Sequence, residues 1–205
     1  MMLFAMVPGL ALGWILGGSL SNLANLEMRG FNLMLAGFAL QVLLSRAPHL
    51  GWSLLLDWGF PLLLLSYAVL MYVMWENRHL PGMTLVSVGV VFNLAVIALN
   101  GGMPVSPAAL AATGQEAAVA VLRSGGSIIH TLMTDSTCLP FLGDHIATPR
   151  WFPRGFRTVF SPGDLVMMMG LLWLVPRAMQ RTLPREELSD GCEETQEQEV
   201  EDTGA

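Results

Sequence analysis

The sequence predicts an all-α, polytopic membrane protein with about five transmembrane helices and an outward-facing polar cap of short helices and loops. Three observations carry that expectation. Charged residues make up 13% of the chain and hydrophobic ones 53%, about half the charge of a soluble domain, where roughly 25% is usual, and the mean hydropathy is +0.55. The apolar residues come in runs of the length a bilayer requires, separated by short polar connections. One long polar stretch, residues 100–161, interrupts the pattern between the last two runs.

The first run, 1–18, has no Lys or Arg ahead of Arg29. A cleaved signal peptide needs a basic leading region, so the run reads as a retained helix. Gly9, Gly13 and Gly17 recur every four residues and share one helix face. In an apolar helix such a face admits another backbone at close range, which makes it a possible contact for a membrane-protein partner. A polar connection follows, with Leu20, Leu23 and Leu26 at every third residue, suited to the membrane interface. The second run, 30–44, is flanked by Arg29 and Arg46, whose long side chains can reach the headgroups. The third, 58–75, is bracketed by Trp52, Trp58 and Trp75 in the manner of an aromatic belt. The fourth is 83–99, with Asn93 inside it.

The fifth run, 162–181, has a sharply marked start. Ser161 suits an N-cap, Pro162 the first helical position and Asp164 the third. At its far end Arg177, Arg181 and Arg185 repeat every four residues as a basic stripe for anionic headgroups. Within the cap, Ser106-Pro107 and Thr113-x-x-Glu116 both resemble helix starts. They predict two Ala-rich helices ending near Arg123–Gly126, with irregular chain beyond.

Residues 1–185 thus form a membrane domain and 186–205 a tail. The formal charge of −6 hides this division, because the tail holds nine acidic residues and no basic one. Residues 1–185 carry ten Arg against seven acidic residues, a net of +3. The polar, aromatic-free tail reads as disordered and solvated. Arg29, Arg78, Arg177, Arg181 and Arg185 fall on one side of a five-span chain, and the rule that short basic loops stay inside makes that side cytoplasmic. The N-terminus and the cap then face outward from a bacterial cytoplasmic membrane, and Cys138 and Cys192, on opposite sides, cannot pair.

Chemistry is expected in the cap. Asp144 and Asp164 lie twenty residues apart, and two carboxyls brought together can share a proton and activate water. Helix capping by Asp164 and an ordinary Leu-Gly-Asp turn at Asp144 explain the same residues without catalysis. Asn100, His130 and His145 are further candidates for binding. Neither His-x-x-x-His nor Cys-x-x-Cys spacing occurs, so no metal site and no cofactor are expected. Asn32, Gln41 and Asn93 are the polar residues inside spans, and none is ionisable, which disfavours ion-coupled transport. Membrane lipids are the expected partners, and nucleic acid is not.

Two resemblances bear on these residues. The Gly-Gly-Ser-Leu-x-Asn-Leu-x-Asn-Leu-x-x-Arg stretch from Gly17 to Arg29 resembles the start of an uncharacterised bacterial multi-pass membrane family. Asn100-Gly-Gly-Met-Pro-Val-Ser106, His130-Thr-Leu, Leu142-Gly-Asp-x-Ile146 and Ser161-x-Gly-Asp164 resemble its later motifs. This similarity spans most of residues 9–170 and implies the architecture without an activity. More locally, about thirty residues are similar to lipoprotein signal peptidase, a membrane aspartyl peptidase. It too has one Asp before its last helix, a second at that helix's outer end, and a Gly six residues on, here Gly170. Phe152-Pro153 ahead of Phe160-Ser161 fits as well. That family has Asn in place of Ser161 and Phe in place of His145, and its Asn-x-x-Asp-Arg element has no counterpart.

The expectation is an integral membrane protein whose outward cap binds a lipid, a peptide or an envelope component. The alternatives are a membrane aspartyl hydrolase using Asp144 and Asp164, and a non-catalytic accessory or assembly subunit of a membrane complex.

Overall fold

A computed structural model describes residues 3–52, 55 and 57–180, apart from the side chains of Leu3, His49 and Arg154. The acidic tail, Cys192, Arg181 and Arg185 lie outside the described residues. Five longer helices run back and forth: α1 (Leu3–Ile15), α3 (Phe31–Leu50), α4 (Gly59–Glu76), α5 (Met83–Asn100) and α8 (Pro162–Gln180), with the short α2 (Leu20–Ala24) after α1. The cap inserts between α5 and α8. It contains β1 (Met103–Val105), α6 (Pro107–Thr113), α7 (Glu116–Arg123), β2 (His130–Leu132), β3 (Ile146–Ala147) and β4 (Val159–Phe160), with 3-10 turns at Pro140–Leu142 and Arg154–Phe156.

Three helices, α3 through Pro48, α4 and α5, are long and apolar enough to cross a membrane. At 1.5 Å per residue each is about 27 Å or longer. Helix α1 is apolar but shorter, and α8 has the length, with Asp164 in its first turn and Arg177 in its last. Helix boundaries follow the sequence signals with two instructive differences. The second run was expected to stop at residue 44, yet α3 continues through Pro48 to Leu50. Arg46 is exposed there, so its charge does not oppose continuation. The first was expected to reach residue 18 but ends at Ile15. Gly17 has φ +79°, a left-handed conformation that terminates a helix readily.

The cap bears out the Ser106 start, whose hydroxyl accepts a hydrogen bond from the Ala109 N–H at 3.4 Å. Thr113 behaves differently. It closes α6, its hydroxyl donating to the Ala109 and Leu110 carbonyls at 3.1 and 3.0 Å, and Gln115 precedes α7 instead. Side-chain competition with backbone acceptors suits Thr to either role. The all-α class fits this mostly helical chain, and the cap adds short strands to it. Strands β1 and β2 pair in parallel, β3 and β4 pair antiparallel, and Asp144 bridges to Val105 of β1. Segments of two or three residues carry too little periodicity to announce themselves as strands.

Both ends of the bundle are pinned by side-chain amides. Asn77, following α4, accepts from the Arg29 N–H at 2.9 Å and donates to the Arg29 carbonyl at 2.7 Å. Asn100, ending α5, clamps Cys138 in the same two-pronged way at 2.8 and 2.9 Å. Near the Asn77 end, Met179 of α8 accepts from the Ser19 N–H and from the Asn22 amide. Arg29, Arg78 and Arg177 therefore gather at that end, with the cap at the other. Phe4 in the first turn of α1 stacks against Phe152 and Phe160 of the cap, centroids 5.5 and 5.3 Å apart.

The closest helix pair is α5 with α8. Gly82 faces Gly170 and Gly89 faces Gly163, each seven residues from the next on its own helix. A Cβ at Gly163 would overlap the Asn93 Oδ1 and the Gly89 carbonyl, and one at Gly170 would stand 2.7 Å from the Gly82 carbonyl. Small residues permit backbones to pack at this range where lipid offers no hydrophobic driving force. The α1 glycines serve the same chain: Gly9 packs on Val175 and Gly13 on Met179, both of α8, whereas Gly17 meets nothing. Two-thirds of the face expected for a partner is thus taken by α8. Gln41 reaches Ser66 across α3 and α4 at 3.1 Å.

Candidate functional site

Close approach of α5 and α8 brings Asn93 against the start of α8, and a closed ring of hydrogen bonds results. The Asn93 amide donates to Asp164 Oδ1 at 2.8 Å. The Ser161 hydroxyl donates to Asn93 Oδ1 at 3.0 Å and accepts from the Asp164 N–H at 3.0 Å. The Ser161 N–H donates to Asp164 Oδ2 at 3.1 Å. The last two bonds form the reciprocal capping box that Ser-x-x-Asp announces. All three residues are buried, Ser161 completely. Burial in apolar surroundings demands such satisfaction, since each stranded polar group costs about 1–3 kcal/mol.

Asp144 is the exception. The turn Pro140–Leu142 lies over α5 and α8, and the chain leaving it is stitched to β1. The Asp144 N–H donates to the Pro104 carbonyl at 2.8 Å, and its own carbonyl accepts from the Ser106 N–H at 2.8 Å. The backbone is fully used, but the side chain is not. Asp144 is only 8% exposed, and its Oδ1 is the one buried side-chain oxygen or nitrogen without a hydrogen-bond partner among the described residues. Burial pushes its carboxyl up from 3.8 to about 8, and the neighbouring Asp164 charge adds to the rise. Loss of hydration disfavours the charged form, so the acid is mostly neutral at pH 7. A neutral carboxyl offers one O–H donor beside an acceptor oxygen.

The other candidate residues are placed apart. Asn100 spends its amide on Cys138 and on the Val96 carbonyl at 2.7 Å, so it holds the cap and has no free amide for a ligand. His130 is exposed in β2, and β1 lies between it and Asp144. Two strand spacings put those backbones about 10 Å apart. His145 is exposed, with Nδ1 2.8 Å from the Gly143 carbonyl. Among the described residues no three of His, Cys, Asp and Glu gather as a metal site requires.

One residue joins the site that the sequence did not put there. Asn93 was read as a polar residue within a span, its partner unknown.

A family model matches residues 25–176, which includes Asn93, Asp144, Ser161 and Asp164. The chain belongs to DUF5317, a family of unknown function. An uncharacterized protein of Thermotoga maritima is 30% identical over 158 residues, covering 77% of this chain and 80% of the relative. No solved structure matches. The resemblance to an uncharacterised bacterial family is therefore borne out, and membership in DUF5317 attaches no reaction to the aspartates.

Proposed function

We propose that this DUF5317 member spans the bacterial cytoplasmic membrane five times, N-terminus and cap outside, and uses the site around Asp144 to bind a lipid or another envelope component. The observation that carries the reading is the buried Asp144 oxygen without a partner. Leaving such a group unpaired is costly, and a ligand's polar group would satisfy it. The gathering of Arg29, Arg78 and Arg177 at the end away from the cap supports the orientation, because basic residues in short loops favour the cytoplasmic side.

The test is the set of molecules that remain bound through purification in mild detergent, identified by mass spectrometry. Asp144→Asn should deplete one component while the purified protein keeps its helical content and monodispersity. An unchanged complement in the variant would overturn the reading. Labelling by dicyclohexylcarbodiimide, which attacks protonated carboxyls in apolar surroundings, gives an independent check. Asp144 should be modified at neutral pH and spared well above pH 8.

A second reading, an aspartyl hydrolase, is favoured by the action of the Asp164 charge on Asp144. One protonated and one ionised carboxyl together can activate water and protonate a leaving group. Asp164 is already bonded through both oxygens, which fits a capping role equally. Turnover of a pooled set of peptides and lipid-linked peptides decides between them. A dyad loses turnover in both Asp144→Asn and Asp164→Asn, and absence of wild-type turnover removes the hydrolase reading.

A further inference from the structure

Between β3 and β4 the cap carries a loop whose stretch from Pro149 to Arg157 holds three Arg, three aromatic residues and no acidic one. Hydrogen bonds of its own give it a fixed shape. At its base the Thr148 N–H donates to the Thr158 carbonyl, and the Thr158 N–H to the Thr148 hydroxyl, each at 3.0 Å. The Phe152 N–H donates to the Pro149 carbonyl at 3.0 Å and the Phe156 N–H to the Pro153 carbonyl at 2.9 Å. The Arg157 guanidinium donates to the Phe152 carbonyl at 2.9 Å and to the Arg150 carbonyl, drawing the tip closed. This shape sorts the side chains. Phe152 is half-buried and packs on Phe4. Trp151 and Phe156 are 79% and 58% exposed, and Arg150 is exposed next to Trp151.

The contact with Phe4 sets the depth of the loop. Phe4 is in the first turn of α1, and it also packs on Phe160, two residues before α8 begins. Both helices therefore start level with the loop. A spanning helix ends where hydrocarbon gives way to headgroups, and that layer is where Trp side chains concentrate.

We infer that the 149–157 loop is an interfacial anchor for anionic phospholipid, with Trp151 and Phe156 entering the interface and the Arg150 guanidinium taking the headgroup phosphate. The inference rests on α1 and α8 spanning the membrane, and it is independent of Asp144 and of the side the cap faces. Charge complementarity names the occupant. A net of +3 over residues 149–157 matches a negative headgroup layer, which attracts each basic residue held near it. A guanidinium also meets phosphate oxygens with two parallel donors. A bilayer offers hydrocarbon and phosphate together at the depth where this loop presents aromatics and arginine together.

The full chain is reconstituted in equal mixtures of phosphatidylglycerol and phosphatidylcholine, with brominated acyl chains on one lipid or the other. Bromine quenches tryptophan on contact, and the difference between wild type and Trp151→Phe isolates Trp151 among the six tryptophans. Trp151 should favour phosphatidylglycerol by about fivefold, the effect of one basic residue at a charged surface. Arg150→Gln, read against Arg150→Gln with Trp151→Phe, should bring that ratio below about twofold, and high salt should erode it in wild type. Equal quenching of Trp151 by the two lipids would overturn the anionic ligand. A ratio unchanged in Arg150→Gln would overturn the role of Arg150. Absence of Trp151 quenching by either lipid, with other exposed tryptophans such as Trp75 and Trp173 still quenched, would overturn the anchor and leave a protein as the cover of this loop. Loss of quenching at those tryptophans as well would strike the spanning reading itself.

Discussion

Asp144 and Asp164 are both carboxyls in an apolar setting, and their surroundings give them different work. Asp164 is held by an amide and a backbone N–H, whereas Asp144 Oδ1 has no partner among the described residues. The raised Asp144 carboxyl fixes the sign of its pH dependence. Its folded value of about 8 exceeds the ordinary 3.8, so between those limits the folded state binds more protons than the unfolded one. Stability contributed through this group is thus greatest at low pH and declines as pH rises from about 4 to about 8. Melting followed over that range should slope downward in wild type and flatten in Asp144→Asn. An unaltered slope in the variant would show that Asp144 is not the group responsible. Within the ring, Asn93→Leu should cost about 1–3 kcal/mol, because it strands the Ser161 hydroxyl and one Asp164 oxygen. Ser161→Ala should cost roughly 0.5–2 kcal/mol as the loss of a cap. Denaturant or thermal unfolding in detergent measures both.

Helix α8 is the element on which the fold turns, since α1, α2 and α5 all pack against it. Its contact with α5 depends on four glycines in facing pairs, and the polar ring forms only because those backbones meet. Gly89→Leu should therefore disturb packing and site together. Overpacking of this kind costs about 1–3 kcal/mol or more. It should also loosen the Asn93–Asp164 bond, seen as altered carbodiimide reactivity of Asp164. Gly155→Ala is the control: nothing lies within 4 Å of a Cβ there, and the change should stay within about 0.5 kcal/mol. A neutral Gly89→Leu would contradict the close crossing. Gly82 combines contact with conformation, having φ +84° as well as the Gly170 carbonyl against it. Any side chain at Gly82 meets both penalties.

At the scale of the molecule, the bundle has a basic end and a capped end, and the proposed orientation makes the cap extracytoplasmic. Cys138 is exposed in the cap, which turns the orientation into a labelling experiment. In a Cys192→Ser background, a membrane-impermeant maleimide should label Cys138 in intact spheroplasts as fully as in permeabilised ones. Labelling only after permeabilisation would invert the topology and place the Asp144 site on the cytosolic side. The first-turn contact of Phe4 with Phe152 and Phe160 ties α1 to that same cap. Rigid attachment of the cap to several helices is what allows a loop residue such as Asp144 to be held without its own secondary structure.

Composition and periodicity determined the helical runs, the polar cap between the last two, and the capping of α8 by Ser161 and Asp164. These are local properties: the apolar content of eighteen residues or the spacing of Ser-x-x-Asp is legible without knowing what lies alongside. The run 83–99 was legible as a helix, yet the hold of Asn100 on Cys138 was not, since that partner lies 38 residues away. The same holds for Asn93 with Asp164, 71 residues apart. The miniature strands escaped because two or three residues show no period. Only the tertiary structure decided that α1's glycines face α8, that α5 and α8 meet backbone to backbone, and that Asp144 is buried with an oxygen unpaired. Contacts between distant segments are set by packing, and packing leaves no local trace in the order of residues.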